Sequence, residues 1–320
     1  MKKRLLMGIF TVLFLISMSF DCFHAEASLF SGQLKDSCKE KPFTMVWLSD
    51  PQYYAANYPQ IYDCLGNWFV KKYKRNSFGY LIVSGDIVDN ASCVNQWEVA
   101  SRNFKKLDDA NVPYGVLAGN HDVRMHGLNY SVFKSYFGAS RYIDKPWYGG
   151  NMDDNRNHYD LISFSSHKFV ILYLGFGSET SLETTTWANS VLEKYPDRNA
   201  ILVLHEYLDE DGEMTEKARI VSDSIVIKND NVFMVLCGHN HGAYKKVRMI
   251  CNSDGTTRKV LEILSDYQNA PNGGNGFLRF LKFCPRSGTL KVSLYSPYTK
   301  KDNCFGEDID NFTETIELID

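Results

Sequence analysis

The chain has only eight histidines. Four of them stand in short polar runs that directly follow apolar ones. "GNHD" (residues 119–122) follows "YGVLA", "HE" (205–206) follows "AILVL", and "GHNH" (238–241) follows "VFMVLC". Carboxylates hold the same kind of place: Asp50 ends "FTMVWLSD", and "GDIVDN" (85–90) follows "YLIVS", with Gln52 two residues beyond Asp50. Imidazole, carboxylate and amide groups without paired thiolates suit hard or borderline divalent ions. Two such ions about 3.5–4 Å apart can share a carboxylate, clamp a phosphate and activate a water. Each run alone is weak, since a strand-end Asp also serves as a helix cap and "GNHD" alone can be a tight turn. Five together require a scaffold that brings five strand ends to one place.

The pattern supplies it. From residue 43 the chain alternates short apolar runs with helical stretches: strands at "FTMVWLS", "YLIVSG" and "YGVLAG", helices over 58–74 and 94–109. Strands separated by helices of that length make βαβ units and a parallel sheet covered on both faces. "HYDLISF" and "KFVILYLG" predict a hairpin. Helices near 181–195 and 213–226 lead to and from "AILVLHE" and "VFMVLCG". The remainder ("YKKVRMIC", "RKVLEILSDY", "GFLRFLKF", "TLKVSLYS") reads as strands without intervening helices, so the sheets are expected to be mixed, the second partly antiparallel. In open α/β sheets the carboxyl ends of the strands converge on the ligand crevice.

Composition narrows the class. Of 320 residues, 44% are hydrophobic and 23% charged, ordinary for a folded chain with a sizeable core. A net charge of −3 gives no global field for nucleic acid or anionic membrane, so neither is expected as a partner. Lys2, Lys3 and Arg4 precede an apolar run to Phe20, then small residues at Ala25 and Ala27. This reads as a signal peptide over 1–27, leaving a single domain over 28–320, a secreted, cell-surface or periplasmic location and no stable membrane anchor after cleavage. The apolar run is shorter than the roughly 20 residues a membrane span needs. Eight cysteines suit an exported chain, and Cys251–Cys284 is the expected disulfide. Cys237, at a strand end, is expected to be buried and inert.

The order D-x-[H/Q], GDxxD, GNHD, H, GHxH, with Gln52 where a histidine is expected, resembles the calcineurin-like metallophosphoesterase superfamily over residues 43 to about 300. "DKPWYGG" and "SDYQ…GGNGFLRFL" are similar to an exported bacterial-type group carrying a DPQ variant of the first motif. The resemblance implies an α/β, four-layer α/β/β/α sandwich with two mixed central sheets and two divalent ions (Mn, Mg, Zn, Fe or Ca). It also implies hydrolysis of a phosphomonoester or phosphodiester by hydroxide that the ions activate. Carried over by position, Asp86 would bridge both ions. Asp50, Gln52 and His241 would complete the first, and Asn120, His205 and His239 the second. His121 would protonate the leaving oxygen, with Asp122 orienting its ring. Asp89 stands where the purple acid phosphatases of the superfamily carry a metal-bound tyrosine, and reads as a cap.

Gln52 has two readings at this level: an oxygen ligand that biases the first half towards hard ions, or the mark of an impaired site. The second leads to a different function, a metal-binding surface or matrix protein on the same fold. A metal-dependent nuclease, which would need a basic groove, is a third. Arg124, Tyr53 and Tyr207 are candidate substrate contacts, with Tyr54, Trp147 and Tyr148 as further aromatics near the motifs. Substrate and oligomeric state are left open by the sequence.

Overall fold

The structure, a computed structural model, describes residues 41–124 and 129–319. The expected signal peptide and its cleavage point lie outside the described residues, as do Cys22 and Cys38. A compact unit runs from Pro42 to Asp320.

Among the described residues thirteen strands are formed. The first three are β1 (Phe43–Leu48), β2 (Tyr80–Val83) and β3 (Tyr114–Val116). Then follow β4 (Tyr148–Met152), β5 (Asn157–Phe164), β6 (His167–Leu174), β7 (Asn199–Leu204), β8 (Val232–Cys237), β9 (Gly242–Cys251) and β10 (Thr257–Asp266). The last three are β11 (Leu278–Cys284), β12 (Thr289–Tyr295) and β13 (Phe312–Thr315). They build a six-stranded sheet in the order β13-β12-β11-β1-β2-β3 and a seven-stranded sheet in the order β4-β5-β6-β7-β8-β10-β9. Both sheets are mixed. β1, β2 and β3 run parallel, as do β6, β7, β8 and β10. β11, β5 and β9 join them antiparallel.

Each central strand is apolar on both faces because each face has its own core. On β1, Met45 and Trp47 enter the core between the sheets with Phe169, Ile171, Leu236 and Leu281. Val46 and Leu48 point the other way, into a core with Ile61, Leu65, Trp97 and Phe104 from the helices Pro59–Tyr73 and Val94–Asp109. The outer face of the second sheet packs Leu172, Leu202 and Val235 against Val191, Val221 and Ile225 of the helical segments over 182–194 and 216–226. Three cores between four layers make the expected sandwich.

The structure refines several expectations. A one-turn helix at Gln52–Ala56, unread in the sequence, precedes the helix at Pro59. The helix expected over 213–226 starts only at Glu216, where the Thr215 hydroxyl accepts from Ala218 N (3.2 Å), and widens into a π-turn at Ser222–Val226. β10, read as one of a run of strands without helices between them, pairs antiparallel with β9 and parallel with β8. The Cys251–Cys284 disulfide is not made. Cys251 ends β9 of one sheet and Cys284 ends β11 of the other, and the six described cysteines are free thiols. Cys237 is fully buried, and burial pushes its thiol up to about 12. Among the described residues no helix is long and apolar enough to cross a membrane.

The core between the sheets fixes how the strand ends face one another. Phe169 is fully buried there against Phe43 and Phe283, with ring centroids 5.6 and 5.5 Å away. Phe169→Ala should cost about 3–5 kcal/mol in urea unfolding of the metal-free protein. A loss well under 1 kcal/mol would show that the sheets repack freely.

Candidate metal centre

Six strand ends meet at one edge of the sandwich: Asp50 after β1, Asp86 after β2, Asn120 after β3, His205 after β7, His239 after β8 and Asp266 closing β10. Ligand atoms of Asp50, Asp86 and His205 all lie within 4.8 Å of one another, and all three residues are buried. The two sheets are tied across this point. His205 of the second sheet places Nδ1 3.0 Å from the Ser84 carbonyl of the first, and the backbone N of His239 donates to Asp50 Oδ1 (3.1 Å).

Local backbone shape makes the approach possible. Asp50, Asp86 and His239 all have positive φ, at 51°, 52° and 70°. Such conformations cost side-chain-bearing residues about 1–3 kcal/mol and gather at functional sites. Glycine provides the room: a Cβ on Gly119 would collide with Asp86 Oδ1, and one on Gly238 with Asp50 Oδ2 and Ser49 Oγ.

Two imidazoles converge on one amide oxygen. His205 Nε2 lies 2.8 Å and His239 Nδ1 2.9 Å from Asn120 Oδ1, and His205 Nε2 is 3.3 Å from Asp86 Oδ1. A carbonyl only accepts, so His205 keeps its Nδ1 proton on Ser84 O and turns Nε2 inward. Burial alone would lower His205, but Asp86 and Asp50 outweigh it and hold the ring up at about 10. Burial, with help from His205, depresses His239 to about 4. Burial opposes ionisation of Asp86, yet His205 and His121 bring it below the usual carboxylate range. Asp50 is raised well above that range by burial and by Asp266.

This donor set fits a pair of divalent cations. The buried carboxylates of Asp50, Asp86 and Asp266 need positive charge, and in the metal-free protein the His205 proton supplies part of it. Gln52 adds a second mark. It is fully buried, its Nε2 donates to Asp86 Oδ2 (3.1 Å) and to Gln268 Oε1, and its own Oε1 has no partner. An unpartnered buried carbonyl costs about 1–3 kcal/mol unless something accepts its lone pairs, and a hard cation does so. His241 lies further out, its side chain 44% exposed, with Nε2 4.0 Å from Asp266 Oδ2 and Nδ1 against the Asn269 amide.

Two expected roles are corrected. Asp122 does not orient His121. It is fully buried and accepts from Val88 N (2.9 Å) and Gly119 N (2.8 Å), bracing two motif loops against each other. Asp89, read as a cap, faces His121 instead: its carbonyl lies 2.7 Å and its Oδ1 3.4 Å from His121 Nδ1. The ring must donate from Nδ1 to that carbonyl, so Nε2 is the atom turned to the centre, 4.0 Å from Asp86 Oδ2.

Among the candidate substrate contacts, Tyr207 is excluded. It is buried in the outer core and its hydroxyl donates to Glu262 Oε1 (2.9 Å). Trp147 belongs to the core between the sheets. Tyr54 is buried and its hydroxyl accepts from Gly276 N (2.9 Å), while the Tyr148 hydroxyl donates to Asn155 (2.8 Å). Tyr53 is half-buried, with its Cβ under the backbone of Gly273. Arg124 is exposed and reaches the Ala91 carbonyl at 3.4 Å.

Sequence reasoning missed Asp266 and Gln268. The signal was present: once β10 is parallel to β8, "LSD" is another apolar strand closing on a carboxylate at the same edge. Phe176 was missed too. Its ring lies 6.0 Å from His205 and 6.3 Å from His239, under the ammonium of Lys217 at 4.2 Å.

Comparison with known proteins agrees with this geometry. Residues 43–243 match the family model for calcineurin-like phosphoesterases. The chain belongs to that family. YvnB of Bacillus subtilis (strain 168) is 42% identical over 282 residues, which cover 86% of this chain and 22% of YvnB. A protein of Arcobacter nitrofigilis named as a probable glycerophosphodiester phosphodiesterase, GpdQ, is 26% identical over 177 residues, covering 50% of this chain and 56% of its own. The chain thus spans well under two thirds of either relative. Among solved structures, purple acid phosphatase PPD1 from yellow lupin seeds aligns with a TM-score of 0.54 at 10% identity, covering 88% of this chain and 55% of that one. GAP50, the anchor in the inner membrane complex of Plasmodium, aligns at 0.51 and 10% identity, covering 87% and 89%. At such identities these two speak for the fold alone.

The carboxyl cluster has a pH signature in the chelated protein. Burial raises Asp266 to about 7, and Asp86 adds to the shift. An unfolded Asp ionises near ~3.9. The folded state therefore holds this proton more tightly, and the contribution is full below about pH 4 and lost as pH rises through about 7. The stability of wild type relative to Asp266→Asn should fall across that window in pH-resolved thermal melts. A relative rise would contradict the buried, cation-seeking carboxyl described here.

Proposed function

We propose that the protein is a divalent-metal-dependent phosphoesterase, with Asp50, Gln52, Asp86 and His241 holding one ion and Asp86, Asn120, His205 and His239 the other. The observation that carries this reading is the buried convergence of Asp50, Asp86 and His205, with Asn120 and His239 against His205 and the Nε2 of His121 turned to the same point. Ions bound there would supply charge for the phosphate and lower the pKa of the attacking water.

The chain's own residues do the rest. His121, held through Nδ1 by the Asp89 carbonyl and partly exposed, presents Nε2 4.0 Å from Asp86 Oδ2, where it can give a proton to the leaving oxygen. Asp122 keeps "GNHD" and "GDIVDN" in register by taking a backbone N–H from each. Asp89 confines the His121 ring, so the proton donor needs little reorganisation. The substrate is a phosphate ester. The likeness to a protein named as a glycerophosphodiester phosphodiesterase makes a diester the first choice. The basic and apolar N-terminal run supports export.

The test is hydrolysis of bis-p-nitrophenyl phosphate and p-nitrophenyl phosphate by chelated protein given back Mn²⁺, Mg²⁺, Zn²⁺ or Ca²⁺. Metal-dependent turnover is expected, with kcat reduced about 10²–10⁴-fold in His121→Ala. Asp89→Ala should lower kcat less, since the carbonyl that holds Nδ1 is retained. Metal binding without turnover on any ester would favour the alternative of a non-catalytic metal-binding protein.

A further inference from the structure

The amide of Gln52 stands where the family pattern has a histidine, and its orientation is dictated from outside the motif. Asp266 closes β10 and is fully buried. Its carboxylate takes both polar ends of Gln268, accepting the backbone N–H at Oδ1 (2.8 Å) and the side-chain Nε2 at Oδ2 (3.0 Å). In its ionised form this carboxylate has only lone pairs to offer, so Gln268 shows it the NH₂ and turns its Oε1 away. That Oε1 meets Gln52. It too can only accept, so Gln52 must turn its own NH₂ towards it. The other hydrogen of that NH₂ goes to Asp86 Oδ2 (3.1 Å), again a pure acceptor. Both donors of Gln52 are used, and its Oε1 is left buried without a partner.

Polarity thus passes from a carboxylate through two amides and ends in one free carbonyl oxygen beside the carboxylate cluster. An isolated glutamine could present either end of its amide; this one cannot. We infer that Gln268, held by Asp266, is a positioning residue that fixes the Gln52 amide with its carbonyl oxygen free to ligate a hard divalent ion. The inference rests on the metal-centre reading proposed above. It gives the half of the centre built on Asp50 and Asp86 an oxygen-rich character, against the imidazole-rich half at His205 and His239. It also makes residue 52 depend on residues more than two hundred positions away, so Gln52 and Gln268 act as one unit.

The test is Mn²⁺ binding to the full chain by titration calorimetry, for wild type, Gln52→Met, Gln268→Met and the double variant. Methionine keeps the length of both side chains and removes their polar ends. Wild type is expected to bind two Mn²⁺. Gln268→Met should weaken one of them about 10- to 100-fold and leave the other within about twofold. Gln52→Met should weaken the same ion, and the double variant should be no weaker than Gln52→Met alone, the non-additivity of residues acting through one another. Unchanged binding in Gln268→Met would overturn the inference, and so would losses that add in the double variant. No Mn²⁺ bound by wild type in either half would instead overturn the metal-centre reading itself. Thermal melts of each metal-free variant establish that the fold is kept, and Gln268→Ala carries the same comparison if the methionine variant does not fold.

Discussion

Three buried carboxylates at the meeting of two sheets are the constraint on which the rest of the site depends. Asp50, Asp86 and Asp266 are each at most 1% exposed. Together they would repel one another and lose their hydration. Local sequence does not choose such an arrangement. The sandwich imposes it, because the core between the sheets sets which strand ends face each other. The backbone then bends to accept it, with left-handed Asp50 and Asp86 and glycines where any Cβ would strike a carboxylate. Without a cation, the His205 proton relieves part of the charge, and burial raises Asp50 and Asp266 above the usual carboxylate range. A divalent ion held by these residues would neutralise the same charge, and its binding would release protons.

The two halves of the centre reach their geometry differently. On the imidazole side the main chain does the orienting. The carbonyl of Ser84 holds His205, and the carbonyl of Asp89 holds His121. On the oxygen side, side chains orient side chains, from Asp266 through Gln268 to Gln52. A backbone carbonyl is supplied by any residue at the position, whereas a side-chain relay fails when one member is replaced. The first half is therefore the more tolerant of sequence change around it, and the second is the one in which substitutions must come in sets.

That difference also explains how much of the site was legible. Strand ends bearing Asp50, Asp86, Asn120, His205 and His239 could be read because each motif is contiguous with an apolar run, and the rule that strand carboxyl ends converge needs only the direction of each strand. Asp266 escaped because "RKVLEILSDY" sits among strands without helices, and nothing local tells that β10 runs parallel to β8 rather than continuing a meander. Tyr207 misled because adjacency to His205 and Glu206 says nothing of its side-chain direction, and the hydroxyl finds Glu262 on the opposite face. Cys251 and Cys284 both lie at strand ends, but in different sheets, which sequence spacing cannot express.

Asp122 and Asp89 show the limit most clearly. In "GNHD" the carboxylate next to His121 is the obvious partner for its ring. Successive residues in a turn, however, project in different directions, and Asp122 points back into the fold towards Val88 N and Gly119 N. It spans the second and third motifs, so its ionised or protonated state bears on the spacing between Asp86 and Asn120 rather than on the proton of His121. Burial and Asp86 raise it to about 7, which the two backbone donors resist by favouring its charge. The ring is left to Asp89, whose contribution through a main-chain oxygen no residue-type pattern can encode. The side chain that does the proton chemistry in the proposed reaction is thus positioned by the neighbouring motif, and the side chain beside it serves the metal loops.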